Sequence, residues 1–67
     1  MRRRLVNSSS VRSVGWKDDT LEVEYVNGSV YQYFEVPQFT FAGLLAAESI
    51  GQFVNTRIKP YYEFREL

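Results

Sequence analysis

The chain has neither cysteine nor histidine among its 67 residues. Without cysteine it has no disulfide framework and no thiolate metal ligand, which suits a reducing compartment. Without histidine it lacks the usual general base, the Ser-His and Cys-His nucleophile pairs, and the imidazole ligands of zinc sites. We therefore expect no metal, no cofactor and a non-catalytic protein. The remaining candidates, Glu22 with Glu24 and Asp18 with Asp19, are typical of a solvated face.

Long apolar runs are also missing. No stretch approaches the roughly 20 residues needed to cross a bilayer. The arginines at positions 2–4 are followed by serines rather than by the apolar region of a signal peptide. We expect a cytoplasmic protein without a membrane partner.

Aromatic residues are abundant for a chain this short. One domain of 67 residues buries only roughly 60% of its unfolded surface. Five tyrosines, five phenylalanines and one tryptophan supply more aromatic surface than a thin core can hold. Some rings are therefore available for a binding surface or for the interface of a homodimer.

Charge is balanced overall but unevenly distributed. Residues 1–17 contain only basic charges and residues 18–35 only acidic ones. One interpretation is cross-strand pairing between a basic first strand and an acidic second one. The other is a phosphate-binding surface in which the amino-terminal arginines lie close in space to basic residues near the carboxyl end.

Alternation and turn signals predict a flexible basic arm over 1–8 and a single domain over 9–67. Strands are expected at 11–16, 20–26 and 29–35. The hairpin at Asn27-Gly28 has two possible registers. A two-residue loop turns Val30 and Phe34 inward, whereas a type I turn with Gly28 as a bulge residue turns Tyr31 and Tyr33 inward.

Two short helices follow the strands. Pro37 suits a first helical position, and apolar spacing predicts a helix over 37–47. Ser49 to Gln52 has the form of a capping box, and a second helix is expected to end at Lys59-Pro60. The predicted fold is α+β, a three-stranded antiparallel β-meander packed against two short helices. Residues 61–67 form either a fourth edge strand or an extended wrap.

The order and spacing of these pieces resemble the KTSC domain. The resemblance runs from Val11-x-Ser-Val-Gly-Trp16 through Tyr31-x-Tyr33 and Val36-Pro37 to Phe53-x-Asn55-x-x-Ile58, nearly the whole chain. That module is named for the carboxyl end of some lysyl-tRNA synthetases and also occurs alone in bacteria and phages. The resemblance implies no established activity, but the occurrence of the module within a tRNA-handling enzyme favours RNA binding.

We expect a small module that binds RNA, with tRNA one candidate, through arginines on phosphates and tyrosines stacked on unpaired bases. In the two-residue-loop register, Glu22 and Glu24 lie beside the tyrosines and oppose this. The candidate residues are Arg2, Arg3, Arg4 and Arg12, then Tyr31, Tyr33, Arg57, Lys59 and Arg65. The alternative is a protein–protein interaction or adaptor module, acting through a sheet edge or as a homodimer.

Overall fold

The computed structural model describes all 67 residues. The chain forms one antiparallel sheet with helices packed on one of its faces. The five strands lie in sequence order, so each pairs with its neighbours in the chain. Their bounds are β1 (Arg4–Leu5), β2 (Val11–Lys17), β3 (Thr20–Tyr25), β4 (Val30–Tyr33) and β5 (Phe64–Glu66). The fold is therefore α+β as predicted, but the sheet has five strands rather than three.

The two additional strands are the outer ones. In β1, Arg4 pairs with Val14 and Leu5 with Ser13, so the predicted flexible arm is partly a strand. In β5, the carboxyl tail pairs with β4, which decides between the two predictions for residues 61–67 in favour of an edge strand. Strands of two and three residues are too short to show alternation, so the sequence pattern did not reveal β1.

The helices follow β4. α1 spans Gln38–Ala46, within the predicted range, and α2 spans Ile50–Phe53. The Ser49 hydroxyl accepts a hydrogen bond from the Gln52 amide at 3.2 Å, which confirms the predicted cap. The chain then continues as a π-helix over Val54–Ile58, and the Lys59 amide donates to the Val54 carbonyl at 2.9 Å. Single π-turns of this kind occur often at functional sites.

The hairpin between β3 and β4 adopts the bulged register. Gly28 has a φ of 95°, its amide donates to the Tyr25 carbonyl, and the Tyr25 amide donates to Ser29. Leu21 pairs with Tyr33 and Val23 with Tyr31, so the tyrosines share the apolar face. Asn27-Gly28 thus lies in a three-residue loop with Val26, because this register turns the rings of Tyr31 and Tyr33 to the apolar face of the sheet. The carboxylates of Glu22 and Glu24 lie on the outer face in either register.

The core lies between the inner face of the sheet and the helices. Strand residues at its centre pack against Val36 and against apolar side chains of the helical segments. The fully buried members are Val11, Val14, Leu21, Val23, Val36, Leu44, Val54 and Ile58, with Tyr33 at 2% exposure. The other face of the sheet carries no helix, so polar side chains occupy it. No helix is both long enough and apolar enough to cross a bilayer.

Candidate functional site

Aromatic rings from three strands surround a pocket at one end of the inner face. Its volume is about 490 Å³, within the range of small-ligand sites. Tyr25 comes from β3, Tyr31 and Tyr33 from β4, and Phe64 from β5. We call this the tyrosine pocket; its lining is completed by Ser10, Val26, Asn27, Ser29 and Lys59.

The rings hold one another in place. Tyr31 meets Tyr25 edge-on at 5.6 Å between centroids and lies nearly parallel to Tyr33 at 6.3 Å. Phe64 is tilted against both Tyr31 and Tyr33, at 5.6 and 5.9 Å. The hydroxyls of Tyr25 and Tyr33 share a hydrogen bond of 2.8 Å. Because each ring has at least one aromatic neighbour, the pocket wall is ordered before any ligand arrives.

Lys59 is the one charged residue among those that line the tyrosine pocket. Its Nζ lies 5.2 Å from the centroid of the Tyr25 ring, a cation–π distance, and no carboxylate pairs with it. Lys59 directly follows the π-helix, which ends at Ile58. A cation without an anionic partner, beside aromatic faces, favours a ligand with both a flat ring and a negative charge.

The tyrosines of the pocket stay neutral near pH 7. Burial raises the pKa of Tyr25, with a further contribution from its hydrogen bond to Tyr33. Burial also raises the pKa of Tyr33, while the bond with Tyr25 lowers it in part. The carboxylate of Glu66, which accepts from the Tyr31 hydroxyl at 3.2 Å, is the main cause of the raised pKa of Tyr31. All three hydroxyls therefore keep their protons. Tyr31 donates its proton to Glu66 and one proton is shared between Tyr25 and Tyr33, which leaves one hydroxyl proton for a ligand.

A polar row crosses the outer face of the sheet. Glu22, only 4% exposed, pairs with the Arg3 guanidinium and accepts from Gln32 Nε2 at 2.9 Å. The Arg65 guanidinium donates a hydrogen bond to Gln32 Oε1 at 3.2 Å. Burial alone would raise the pKa of Glu22, but the hydrogen bonds from Gln32 and Arg3 and the charge of Arg3 lower it overall. The row therefore fastens β1 and β5 to the middle of the sheet.

The amino-terminal arm lies close against β2. A Cβ added to Gly15 would come within 2.5 Å of the Arg2 carbonyl oxygen, so only glycine allows this approach. Arg3 Nε also donates to the Ser13 hydroxyl at 3.0 Å. The arm is therefore docked at Arg3 rather than free over its whole length.

The nine predicted binding residues separate into distinct groups. Tyr31, Tyr33 and Lys59 meet in the tyrosine pocket. Arg3, Arg12 and Arg65 lie at the outer face, where Arg12 Nε is 3.9 Å from Glu24. The exposed Arg2 and Arg4 belong to the arm, and Arg57 lies on the helical side. The structure thus does not join the amino-terminal arginines to Arg57 and Lys59 in one patch.

Sequence reasoning named three of the nine lining residues and missed two of the four aromatic ones, Phe64 and Tyr25. Phe64 reaches the site only because β5 pairs with β4, where Tyr33 is its partner. The weak alternation of the tail was the available signal, but it did not fix the register. No group of three acidic side chains converges on a possible metal position.

Comparisons with known proteins agree with this architecture. The KTSC domain sequence model matches residues 7–62. A protein of Tsukamurella paurometabola is 41% identical over 59 residues, 85% of this chain and 88% of that protein. A lysine–tRNA ligase of Nostoc punctiforme is 43% identical over 51 residues, which are 76% of this chain but 9% of the ligase. The crystal structure of a KTSC domain protein from Yersinia pestis superposes with a TM-score of 0.91 at 32% identity, covering 98% of this chain and 96% of that one.

Proposed function

This chain belongs to the KTSC domain family, and we propose that it is a non-catalytic module of the cytoplasm that binds single-stranded RNA. The tyrosine pocket would receive an unpaired base, and Lys59 would meet the adjoining phosphate. The convergence of Tyr31, Tyr33 and Lys59 around one open pocket is the observation that carries the proposal.

The chemistry of the pocket suits a nucleotide better than a plain apolar ligand. Aromatic faces stack on any base, at about 1–3 kcal/mol per base. Lys59 supplies the positive charge that a phosphate requires, and its position over Tyr25 places that charge beside the stacking surface. Polar side chains at the rim, among them Ser29 and Asn27, offer hydrogen bonds to base edges.

The bulged hairpin removes one objection to RNA. Glu22 and Glu24 lie on the outer face of the sheet, whereas the rings of Tyr31 and Tyr33 lie on the inner face. The two carboxylates are therefore not beside a stacked base. Glu22 is also neutralised by Arg3. Arg2 and Arg4 are exposed and have no carboxylate partner, so they are the arm residues that remain for secondary phosphate contacts.

One relative gives independent support. The matched segment of the Nostoc punctiforme protein is part of a lysine–tRNA ligase. A domain attached to such a protein has RNA within reach. This is an argument from association, and the pocket supplies the physical one.

The test is a fluorescence anisotropy titration of labelled single-stranded RNA at two salt concentrations. Binding should weaken as salt rises, because phosphate contacts release counterions. Tyr31→Ala should weaken binding about tenfold or more, as expected for a lost stacking surface. Lys59→Ala should weaken binding and also reduce its salt dependence.

Matched controls exist for both variants. Lys17→Ala removes the same charge at the Asp18-Asp19 turn, at the opposite end of β3 from Tyr25, and should bind as the wild type does. Tyr61→Ala removes an exposed tyrosine outside the pocket. If RNA does not bind at low salt, or if Lys17→Ala weakens binding as much as Lys59→Ala, the proposal is wrong.

The interaction or homodimer alternative stays a prediction. Both outer strands leave an edge unpaired, which is the feature such a partner would use. Sedimentation at several protein concentrations separates it from RNA binding, since apolar self-association does not weaken steeply with salt.

A further inference from the structure

A second concave surface lies on the helical side of the molecule. It has a volume of about 330 Å³ and is formed where α1 faces the end of the π-helix and the chain that leads to β5. We call it the aromatic groove; its lining is Phe39, Thr40, Gly43, Phe53, Arg57, Tyr61 and Tyr62. It shares no residue with the tyrosine pocket.

Two of the aromatic residues that line the groove are exposed. Phe39 is 79% and Tyr61 73% exposed, the highest values among the aromatic rings that are exposed. Phe53 and Tyr62 also line the groove and are half-buried against the core. Gly43 lies close to Phe53, since a Cβ there would be 3.5 Å from the Phe53 ring. Two exposed rings of this size in one cleft are typical of an interaction site.

The charge of the groove indicates the kind of partner. Arg57 is its only charged lining residue. The guanidinium makes no ion pair and no hydrogen bond within the chain. An exposed arginine in the same groove as aromatic rings is suited to a carboxylate that lies beside an apolar side chain.

We propose that the aromatic groove binds a short acidic peptide segment of a partner protein. An aromatic or aliphatic side chain of the peptide inserts between Phe39 and Tyr61, and a neighbouring carboxylate pairs with Arg57. The volume is sufficient for one or two side chains, so the groove reads a short motif. The chain then carries two sites, one for RNA and one for a protein.

The test uses capped synthetic pentapeptides and two-dimensional amide NMR of the whole, nitrogen-15 labelled chain. The probe is Gly-Phe-Glu-Asp-Gly, compared with Gly-Phe-Lys-Lys-Gly and Gly-Ala-Glu-Asp-Gly. The acidic aromatic peptide should shift the amides of Phe39, Arg57 and Tyr61, and the two comparison peptides should bind at least fivefold more weakly.

Variants separate this groove from the RNA site. Arg57→Gln should weaken binding of the acidic peptide about fivefold, as for an exposed charge pair, and should not weaken binding of Gly-Phe-Lys-Lys-Gly. Tyr61→Ala should weaken it by a similar or larger factor. Lys59→Ala and Tyr31→Ala, which alter the tyrosine pocket, should leave peptide binding unchanged.

Three results would overturn the inference. The first is equal binding of the acidic and the basic peptide, which would show a merely apolar surface. The second is RNA shifting the groove amides in place of those of the tyrosine pocket. The third is self-association that Tyr61→Ala abolishes, which would make a second copy of this chain the occupant. Failure of RNA binding alone leaves the groove unaffected, because the two sites are measured by separate probes.

Discussion

Replacing Arg3 with alanine is expected to destabilise the fold, and more at pH 7 than at pH 4. The Glu22 carboxylate is 4% exposed, and its partners are the Arg3 guanidinium and the Gln32 amide. Without Arg3, a nearly buried carboxylate keeps only the amide. In the variant, Glu22 either stays ionised, which lowers the free energy of unfolding, or takes up a proton and becomes neutral.

Two quantities bound the loss. Removing one partner of a buried ion pair typically costs about 3–5 kcal/mol, but the Arg3 side chain is 29% exposed and solvent screens the pair. Protonating a carboxyl of ordinary pKa 4.5 costs about 3.4 kcal/mol at pH 7, which sets a ceiling. Because the released arm also admits water to Glu22, we expect about 2 kcal/mol. In a domain of this size that lowers Tm by about 8–16 °C.

The pH dependence follows from the direction of the pKa shift. In the wild type the pKa of Glu22 is lowered, so its stabilising contribution is complete above the ordinary value of 4.5. That contribution is lost as the pH falls through the lowered pKa. In Arg3→Ala, burial without the pair raises the pKa, so the unfavourable charge disappears on acidification. The difference between the two proteins should therefore shrink from pH 7 to pH 4.

The assay is urea unfolding, followed by Trp16 fluorescence, at three pH values between 4 and 7. Arg4→Ala is the matched control, because it removes the same charge from the same arm but breaks no ion pair. The effect of Arg3→Ala should be at least halved when Glu22→Gln is also present. An equal loss at pH 7 and pH 4, or a loss no larger than that of Arg4→Ala, would refute the reasoning.

Three further predictions concern single positions. Gly15→Ala should cost about 1–3 kcal/mol in urea unfolding, since its Cβ would meet the Arg2 carbonyl at 2.5 Å, whereas Gly43→Ala, which makes only ordinary contacts, should not. Gly28→Ala should lower stability by about 1 kcal/mol in thermal unfolding because of its φ of 95°. Gly28→Asn should cost less, and an equal or larger loss for Gly28→Asn would contradict this explanation. Tyr33→Phe should cost about 1 kcal/mol by removing the 2.8 Å hydroxyl pair, and unchanged Tm would contradict that bond.

Local features of the fold were predictable because neighbouring residues determine them. Alternation located β2, β3 and β4, and Ser49 marked the start of α2. The same reasoning left the hairpin register open, since the Asn27-Gly28 dipeptide fits both loops. Among the site residues, it named Tyr31, Tyr33 and Lys59 together with six arginines that the structure distributes elsewhere.

The sequence by itself determined the class of the fold, the number and order of its central strands, and the absence of histidine and cysteine side chains. Only the tertiary structure decided the register, the two outer strands and the partners of each charge. The physical reason is sequence separation. Tyr33 and Phe64, or Arg3 and Glu22, meet through pairing between distant strands, and no local propensity records such a contact. Lys59 and Arg57 are a further example, because the fold places Lys59 at the tyrosine pocket and Arg57, two residues earlier, in the aromatic groove.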